Sequence, residues 1–340
     1  MREPFSPPPA GIAGPGKLAS SGPTRRRLLL SAAGLLASGP VACASQDVTF
    51  SAEVKVVNLL ANVYGKNGEI VRGLTREDFL LVEDGRPQSI RYFSRETDLP
   101  LTLGLLVDTS MSQRRVLDAE RLASFDFVDQ VLREATDHVF VVQFDMAVEI
   151  RQPLTSSRHD LKSALALVDR PSLRQLELQR GGGTLLYEAV AVAARDVMRP
   201  QTGRKALIVL SDGVDTGSEI PATTAIEEAQ RAGTLIFGVV FSDANAYGTA
   251  LGPLMGGGAP DGKAVLQRIS RETGGRCFEV SKNLSIEQIF QAIQEELRSQ
   301  YNLGFVSDVP VRISGFRRLQ LTAKAKGLLV QAQSRYWAQR

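Results

Sequence analysis

The chain has 340 residues, 43% of them hydrophobic and 23% charged, which is apolar enough to bury a core and too mixed in charge for disorder. Five of the 40 basic residues and one of the 37 acidic ones fall in residues 1–44, leaving 35 against 36 in the body, so no global field exists to hold nucleic acid or an anionic membrane. Two cysteines and two histidines exclude a disulfide framework and a typical zinc site, so any metal must be held by oxygen.

At the front, Thr24-Arg25-Arg26-Arg27-Leu28-Leu29 leads into an apolar run to Ala42 that Gly34, Gly39 and Pro40 interrupt. That run is too short and too broken to span a bilayer. With the small-residue site Ala42-Cys43-Ala44 behind it, residues 1–44 read as an export signal, and the paired arginines resemble the twin-arginine variety. The mature protein is therefore expected in the periplasm, cell envelope or medium, with cleavage after Ala44. A lipidated Cys43, which would tether the protein to a membrane, is the alternative, although Pro40 stands where a lipobox carries a leucine-like residue. Cys277, in the apolar stretch to Val280, is expected to serve packing.

Residues 45–98 read as β structure. Val48 to Val63 alternates like strands, and Phe79–Arg86 to Ile90–Phe93 carries an Asp84-Gly85 hairpin signal. From residue 99 to 300 near-continuous apolar runs (101–107, 139–144, 206–210, 235–241) alternate with helical patterns such as Val116, Ala119, Ala123, Phe127 and Val131, then Leu186, Val190, Ala193 and Val197, then Ile286, Ile289, Ile293 and Leu297. Pro221 opens a further helix and Gly233 closes it. Runs without alternation are strands buried on both faces, so the fold class is α/β, a doubly wound and mostly parallel sheet. Asp145-Met146 is too short a link for a crossover, so Ala147–Ile150 is an antiparallel third strand; with Arg276–Val280 as the sixth, the expected order is 3-2-1-4-5-6. Residues 301–340 hold three more predicted strands, Tyr301–Val306, Arg317–Ala323 and Leu328–Tyr336. Neither end has enough apolar faces for a stable sheet alone, so the two are expected to pair into one β-sandwich flanking the α/β domain.

The switch point of such a sheet lies between strands 1 and 4, where polar residues collect. Strand 1 ends in Asp108-Thr109-Ser110-Met111-Ser112, strand 4 in Ser211-Asp212-Gly213, and Gly181-Gly182-Gly183-Thr184 starts the helix leading into strand 4. Five hard oxygen side chains, Asp108, Ser110, Ser112, Thr184 and Asp212, can converge there, a donor set for Mg²⁺, or Mn²⁺ or Ca²⁺. Three of the donors are neutral, so the ion stays under-neutralised and one position should attract a carboxylate from outside. Asp145 and Asp215 near strand ends are expected to be solvated turn residues, and His138 and His159 surface or capping residues.

This Asp-x-Ser-x-Ser, threonine and Ser-Asp-Gly set resembles the metal-ion-dependent adhesion site of von Willebrand factor type A (VWA) domains, over roughly Pro100 to Tyr301. The resemblance implies that Ser110, Ser112 and Thr184 bind the metal directly, while Asp108 and Asp212 act directly or through water. The flanks, 73–94 and 296–304, resemble those of exported bacterial proteins in a VWA-related subfamily.

Gly257-Gly258-Ala259-Pro260-Asp261-Gly262-Lys263 has the glycine and lysine spacing of a phosphate loop, but Ala264 replaces the metal-binding hydroxyl, Asp261 adds a repelling charge and Pro260 removes an N–H. No nucleotide is expected. The long glycine-rich stretch Ser242–Gly262, with Tyr247, Leu251, Leu254 and Met255, leaves the same sheet edge and is expected to shape ligand choice.

The expected function is a non-enzymatic, metal-dependent protein-binding module of the cell envelope that ligates an Asp or Glu carboxylate of a partner protein. A structural scaffold or assembly factor of an envelope complex is the second class. A metal-assisted hydrolase is the third; it lacks a Gly-x-Ser-x-Gly elbow and a well-placed histidine and would need Asp145 or Asp215 as base.

Overall fold

Short alternating segments at the N-terminal side form β1 (Val57–Tyr64), β2 (Phe79–Glu83), β3 (Arg86–Gln88) and β4 (Ile90–Ser94). The computed structural model describes residues 56–95, 99–113, 116–169, 183–241, 261–310 and 312–339. The expected export signal with Cys43, the start of the first predicted strand, Gly181-Gly182, and residues 242–260 with Tyr247, Leu251, Leu254 and Met255 lie outside the described residues.

The chain continues through β5 (Leu101–Asp108), α1 (Leu117–Val131), β6 (His138–Phe144), β7 (Val148–Thr155) and α2 (Arg158–Ala166). Then come α3 (Leu186–Val192), whose last turns widen into a π-helical segment Ala193–Met198, and β8 (Arg204–Ser211). They are followed by α4 (Ala222–Ala232), β9 (Leu235–Val240), α5 (Gly262–Thr273), β10 (Cys277–Glu279) and α6 (Ile286–Arg298). The C-terminal strands are β11 (Tyr301–Phe305), β12 (Gly315–Ala323), β13 (Leu329–Ala332) and β14 (Arg335–Ala338). None of these helices is long and apolar enough to cross a membrane.

The central sheet runs β10-β9-β8-β5-β6-β7, parallel except for β7, which returns antiparallel along β6 at the edge. Every residue of β5 and β9 is buried, as strands covered on both faces require. One face packs Leu103, Leu105 and Ile208 under α1, α2 and α6 through Phe127, Leu161 and Ile289; the other packs Leu106, Leu207 and Val209 under α3, α4 and α5 through Val190, Ile226 and Leu266. The predicted inner stripe of α1 is corrected by one position: Ala119 is exposed, and the buried face reads Leu117, Glu120, Ala123, Ser124, Phe127, Val128 and Val131. The helix starts at Leu117 with Val116 as its cap, so the stripe is phased from Leu117.

The two chain ends pair with each other. One four-stranded sheet runs β13-β1-β11-β4 and the other β14-β12-β2-β3, around one core that includes Leu59, Val63, Phe79, Leu81, Tyr301, Phe305, Leu321 and Tyr336. Two predicted boundaries change. The Asp84-Gly85 turn, with φ of 45° and 84°, joins β2 to β3 as a two-residue turn with both φ positive should, but β4 crosses to the other sheet. There Phe93, half-buried, stacks 5.8 Å from the buried ring of Tyr301 and so adds β4 to the core that both sheets share. The predicted strand Leu328–Tyr336 likewise divides into β13 and β14, one in each sheet.

Asp137 ties together the amino ends of β5 and β6, at the end of the central sheet opposite the strand carboxyl ends. Its buried carboxylate accepts from Leu101 N at 3.0 Å, Arg133 N at 3.1 Å and Arg133 Nε at 3.1 Å. Burial pushes its pKa up, but Arg133 and the two backbone donors outweigh it and hold the group below the ordinary aspartate value. A depressed folded pKa contributes stability above the unfolded value of about 3.9, lost as pH falls through the lower folded value. Asp137→Asn should therefore cost about 1.5–3 kcal/mol at pH 7, and chemical denaturation should show the gap to wild type closing below about pH 4.

Candidate metal centre

β5 and β8 are parallel neighbours in the middle of the sheet, and the chain leaves β5 for one face and β8 for the other. Such a divergence leaves a crevice at the carboxyl ends of the two strands. Asp108, the last residue of β5, is fully buried there. Its Oδ1 accepts from Ser110 N at 2.9 Å, an Asx turn that swings the following loop back over the strand end, and its Oδ2 accepts from Ser211 Oγ of β8 at 2.6 Å. Ser110 Oγ and Ser112 Oγ are hydrogen-bonded to each other at 3.0 Å, which holds the two hydroxyls together on this loop.

Across the crevice, Asp212 Oδ1 accepts from Val214 N at 2.9 Å while Gly213 N donates to Ser211 Oγ at 3.0 Å. Gly213 takes φ of 83°, and a Cβ there would lie 2.1 Å from Gly262 O, so the first residue of α5 rests directly on this turn. Thr184 is tied to the same loop: its N–H donates to Thr216 Oγ1 at 3.0 Å and its carbonyl accepts from Thr216 N and Gly217 N at 3.1 and 3.2 Å. The structure thus gathers Asp108, Ser110, Ser112 and Asp212 at the crevice and laces the backbone of Thr184 to the loop after Asp212. Burial raises the Asp108 carboxyl to about 7; hydrogen bonds from Ser211 and Ser110 oppose the rise, and the charge of Asp212 adds to it.

Asp145 and Asp215 are half-buried and bonded, which corrects the expectation of solvated turn residues. Asp145 Oδ2 accepts from Thr109 Oγ1 at 2.9 Å and its carbonyl from Leu185 N at 2.8 Å, joining the Asp108 loop to the start of α3. Asp215 Oδ2 accepts from Tyr187 N at 3.0 Å and Ser218 Oγ at 2.6 Å. Both carboxylates hold loops in place. His138 and His159 are exposed. At the start of α5, Asp261 caps the helix by accepting from Ala264 N at 3.0 Å, and Lys263 Nζ pairs with Glu279 at 2.6 Å, so the acidic and basic groups of the phosphate-loop look-alike are otherwise engaged.

One acidic residue beside the crevice escaped the sequence reading. Glu120, in the first turn of α1, is fully buried, and among the described residues neither carboxylate oxygen has a hydrogen-bond partner. The signal was present: counted from Leu117, position 120 falls on the inner face with Ser124 and Phe127. Gln113 Oε1, just after Ser112, is a second buried oxygen without a partner.

The donor chemistry fits a hard cation. The side chains are carboxylates and hydroxyls, oxygen donors of the kind hard divalent ions take, and among the described residues no group of three or more His, Cys, Asp or Glu forms a metal-holding cluster, so the hydroxyls of the serines and threonine would have to complete the donor set. A buried Asp108 beside a second carboxylate is also an arrangement that a dication would relieve.

A family model for the von Willebrand factor type A domain matches residues 103–292. Solved structures similar to the chain include the conserved hypothetical protein BatB of Bacteroides thetaiotaomicron (20% identity, 58% of this chain and 97% of that one, TM-score 0.42). A second is proximal thread matrix protein 1 of the mussel byssus, solved with a zinc-occupied MIDAS motif (17%, 63% and 49%, TM-score 0.45). A third is the vWF domain of the type V pili tip protein Mfa5 of Porphyromonas gingivalis (13%, 58% and 96%, TM-score 0.42). Among curated proteins no sequence matches.

Proposed function

The chain belongs to the von Willebrand factor type A family, and on that premise we propose that it is an exported, non-enzymatic protein-binding module whose adhesion-type cation site takes a carboxylate from a partner protein. Asp108, Ser110, Ser112, Thr184 and Asp212 hold Mg²⁺, or Mn²⁺ or Ca²⁺, in this reading. Residues 99–300 form the binding domain, residues 45–98 and 301–340 the β-sandwich beside it, and residues 1–44 the export signal. The observation that carries the proposal is the pair of hydroxyls of Ser110 and Ser112, 3.0 Å apart beside the buried Asp108 and within reach of the charge of Asp212. When bound, the cation supplies an electrophilic position that three neutral hydroxyls leave unsatisfied. The protein orients that position by fixing Asp108 between Ser110 and Ser211 and by lacing Thr184 to the Asp212 loop. A hydrolase reading finds no support here, since Asp145 and Asp215 are engaged in holding loops.

Because a cation would bind the folded chain alone, Mg²⁺ at a hundredfold excess over Kd should stabilise it by about 2.7 kcal/mol. Thermal melts with Mg²⁺ and with chelator check this, and Asp212→Ala should abolish the difference. Melting curves that coincide across millimolar Mg²⁺, Mn²⁺ and Ca²⁺ would replace the adhesion reading with that of a structural scaffold.

A further inference from the structure

Glu120 occupies a position that packing alone would give to an apolar residue. It sits between Leu117 and Ser124 on the inner face of α1, its backbone N–H bonded to Val116 O at 2.9 Å and its carbonyl accepting from Ser124 Oγ at 2.7 Å, so the backbone is fully paired and the carboxylate is not. A carboxylate without a partner in the interior is among the costlier groups a fold can carry. The charges that act on it are those of Asp108 and Asp212, and burial together with these two like charges holds its pKa well above the ordinary glutamate value. Both of those residues belong to the crevice, and the backbone ties Glu120 to its rim: Gln113 N donates to Ser110 O at 3.0 Å, Val116 N to Gln113 O at 3.0 Å and Glu120 N to Val116 O at 2.9 Å, so the first turn of α1 hangs directly from the loop that carries Ser110 and Ser112. Among the described residues the three acids do not close into a cluster that could share an ion. Gln113 Oε1, on the loop leading into α1, is likewise buried and without a partner among the described residues.

We infer that Glu120 is an outer-sphere member of the cation site, a buried third carboxylate that strengthens cation binding through its charge and makes no bond to the ion. The inference rests on the cation-site reading above. Asp108 and Asp212 alone oppose a charged Glu120; a dication beside them reverses the sign of the local field and favours the ionised form. The carboxylate then acts across a water-poor interior, where charges are weakly screened. The gain is lost when the group is made neutral at constant shape.

Isothermal titration of the full chain with Mg²⁺ and with Tb³⁺ tests this on wild type, Glu120→Gln and Glu120→Leu. Glu120→Gln should weaken Mg²⁺ binding about tenfold, the lower end of what loss of an outer-shell partner costs. An effect of charge scales with the charge of the ion, so the same change should weaken Tb³⁺ about thirtyfold, whereas a merely structural disturbance would lower both equally. In chelator, both variants should melt at or above the wild-type temperature, because a buried carboxylate without a partner has been removed. Unchanged affinity in both variants, or equal losses for the two ions, overturns the role of Glu120 while leaving the cation site standing. Absence of binding by wild type overturns the cation site itself.

Discussion

Gly213→Ala should cost about 3 kcal/mol and lower the melting temperature by roughly 6–12 °C, a large effect for one methyl group. The residue holds φ of 83°, a left-handed conformation that disfavours any side chain, and the added Cβ would lie 2.1 Å from Gly262 O and 2.5 Å from Gly262 C. Both opposing atoms are backbone, so relief requires moving the start of α5 or the Asp212 turn. Gly262→Ala is the matched control: its Cβ would meet Asp212 O at 2.4 Å without a positive φ, so it should cost less while disturbing the same contact. Because Val214 N and Ser211 Oγ hold Asp212 through this turn, Gly213→Ala should also weaken any cation response. A melting temperature within about 2 °C of wild type would show that the turn yields and that the close approach carries little energy.

Arg317→Ala should be comparably severe for the β-sandwich, with a loss of about 3–5 kcal/mol. Glu83 is fully buried at the end of β2; its Oε1 accepts from Arg317 Nη1 at 3.0 Å and from the Tyr336 hydroxyl, and its Oε2 from Ser307 Oγ at 2.6 Å. Burial first, and then the hydrogen bond to Glu83, push the Tyr336 hydroxyl pKa up, so it remains a donor across the working pH range. The guanidinium also donates to Ser307 Oγ at 2.7 Å and Val309 O at 3.0 Å, binding the β11–β12 connection to the network. Removing it leaves a carboxylate charge in the interior with only hydroxyl partners. Replacing both members by apolar residues, Glu83→Leu with Arg317→Leu, should recover most of the loss, because the cost lies in the uncompensated charge rather than in a missing attraction. Urea denaturation of the two variants checks both statements; a loss below about 1 kcal/mol for Arg317→Ala would mean that the network is solvated in practice.

How far the sequence reaches is seen at particular residues. Unalternating runs such as Leu101–Val107 marked the strands buried on both faces, because such runs have no polar side to turn to water. The polar clusters after Val107 and Leu210 marked the strand ends, and Pro221 and Gly233 bounded α4 through local backbone preferences alone. Partners distant in the chain were not legible in the same way. Phe93 chooses between two sheets by packing on Tyr301, a neighbour more than two hundred residues away, and Asp145 becomes a stitch between Thr109 and Leu185 only once three loops meet.

The sequence by itself determined the alternation of buried strands and covering helices, the left-handed turns at Asp84-Gly85 and Gly233, and the order in which the oxygen-bearing residues arrive, since each follows from steric preference or side-chain polarity over a few residues. Only the tertiary structure decided that β4 and β14 part from their sequence neighbours, that Gly262 rests on Gly213, and that the buried Glu120 feels the charges of Asp108 and Asp212. Those outcomes depend on which surfaces exclude water together, and the free energy of burying a side chain is set by neighbours that the chain brings close only when folded.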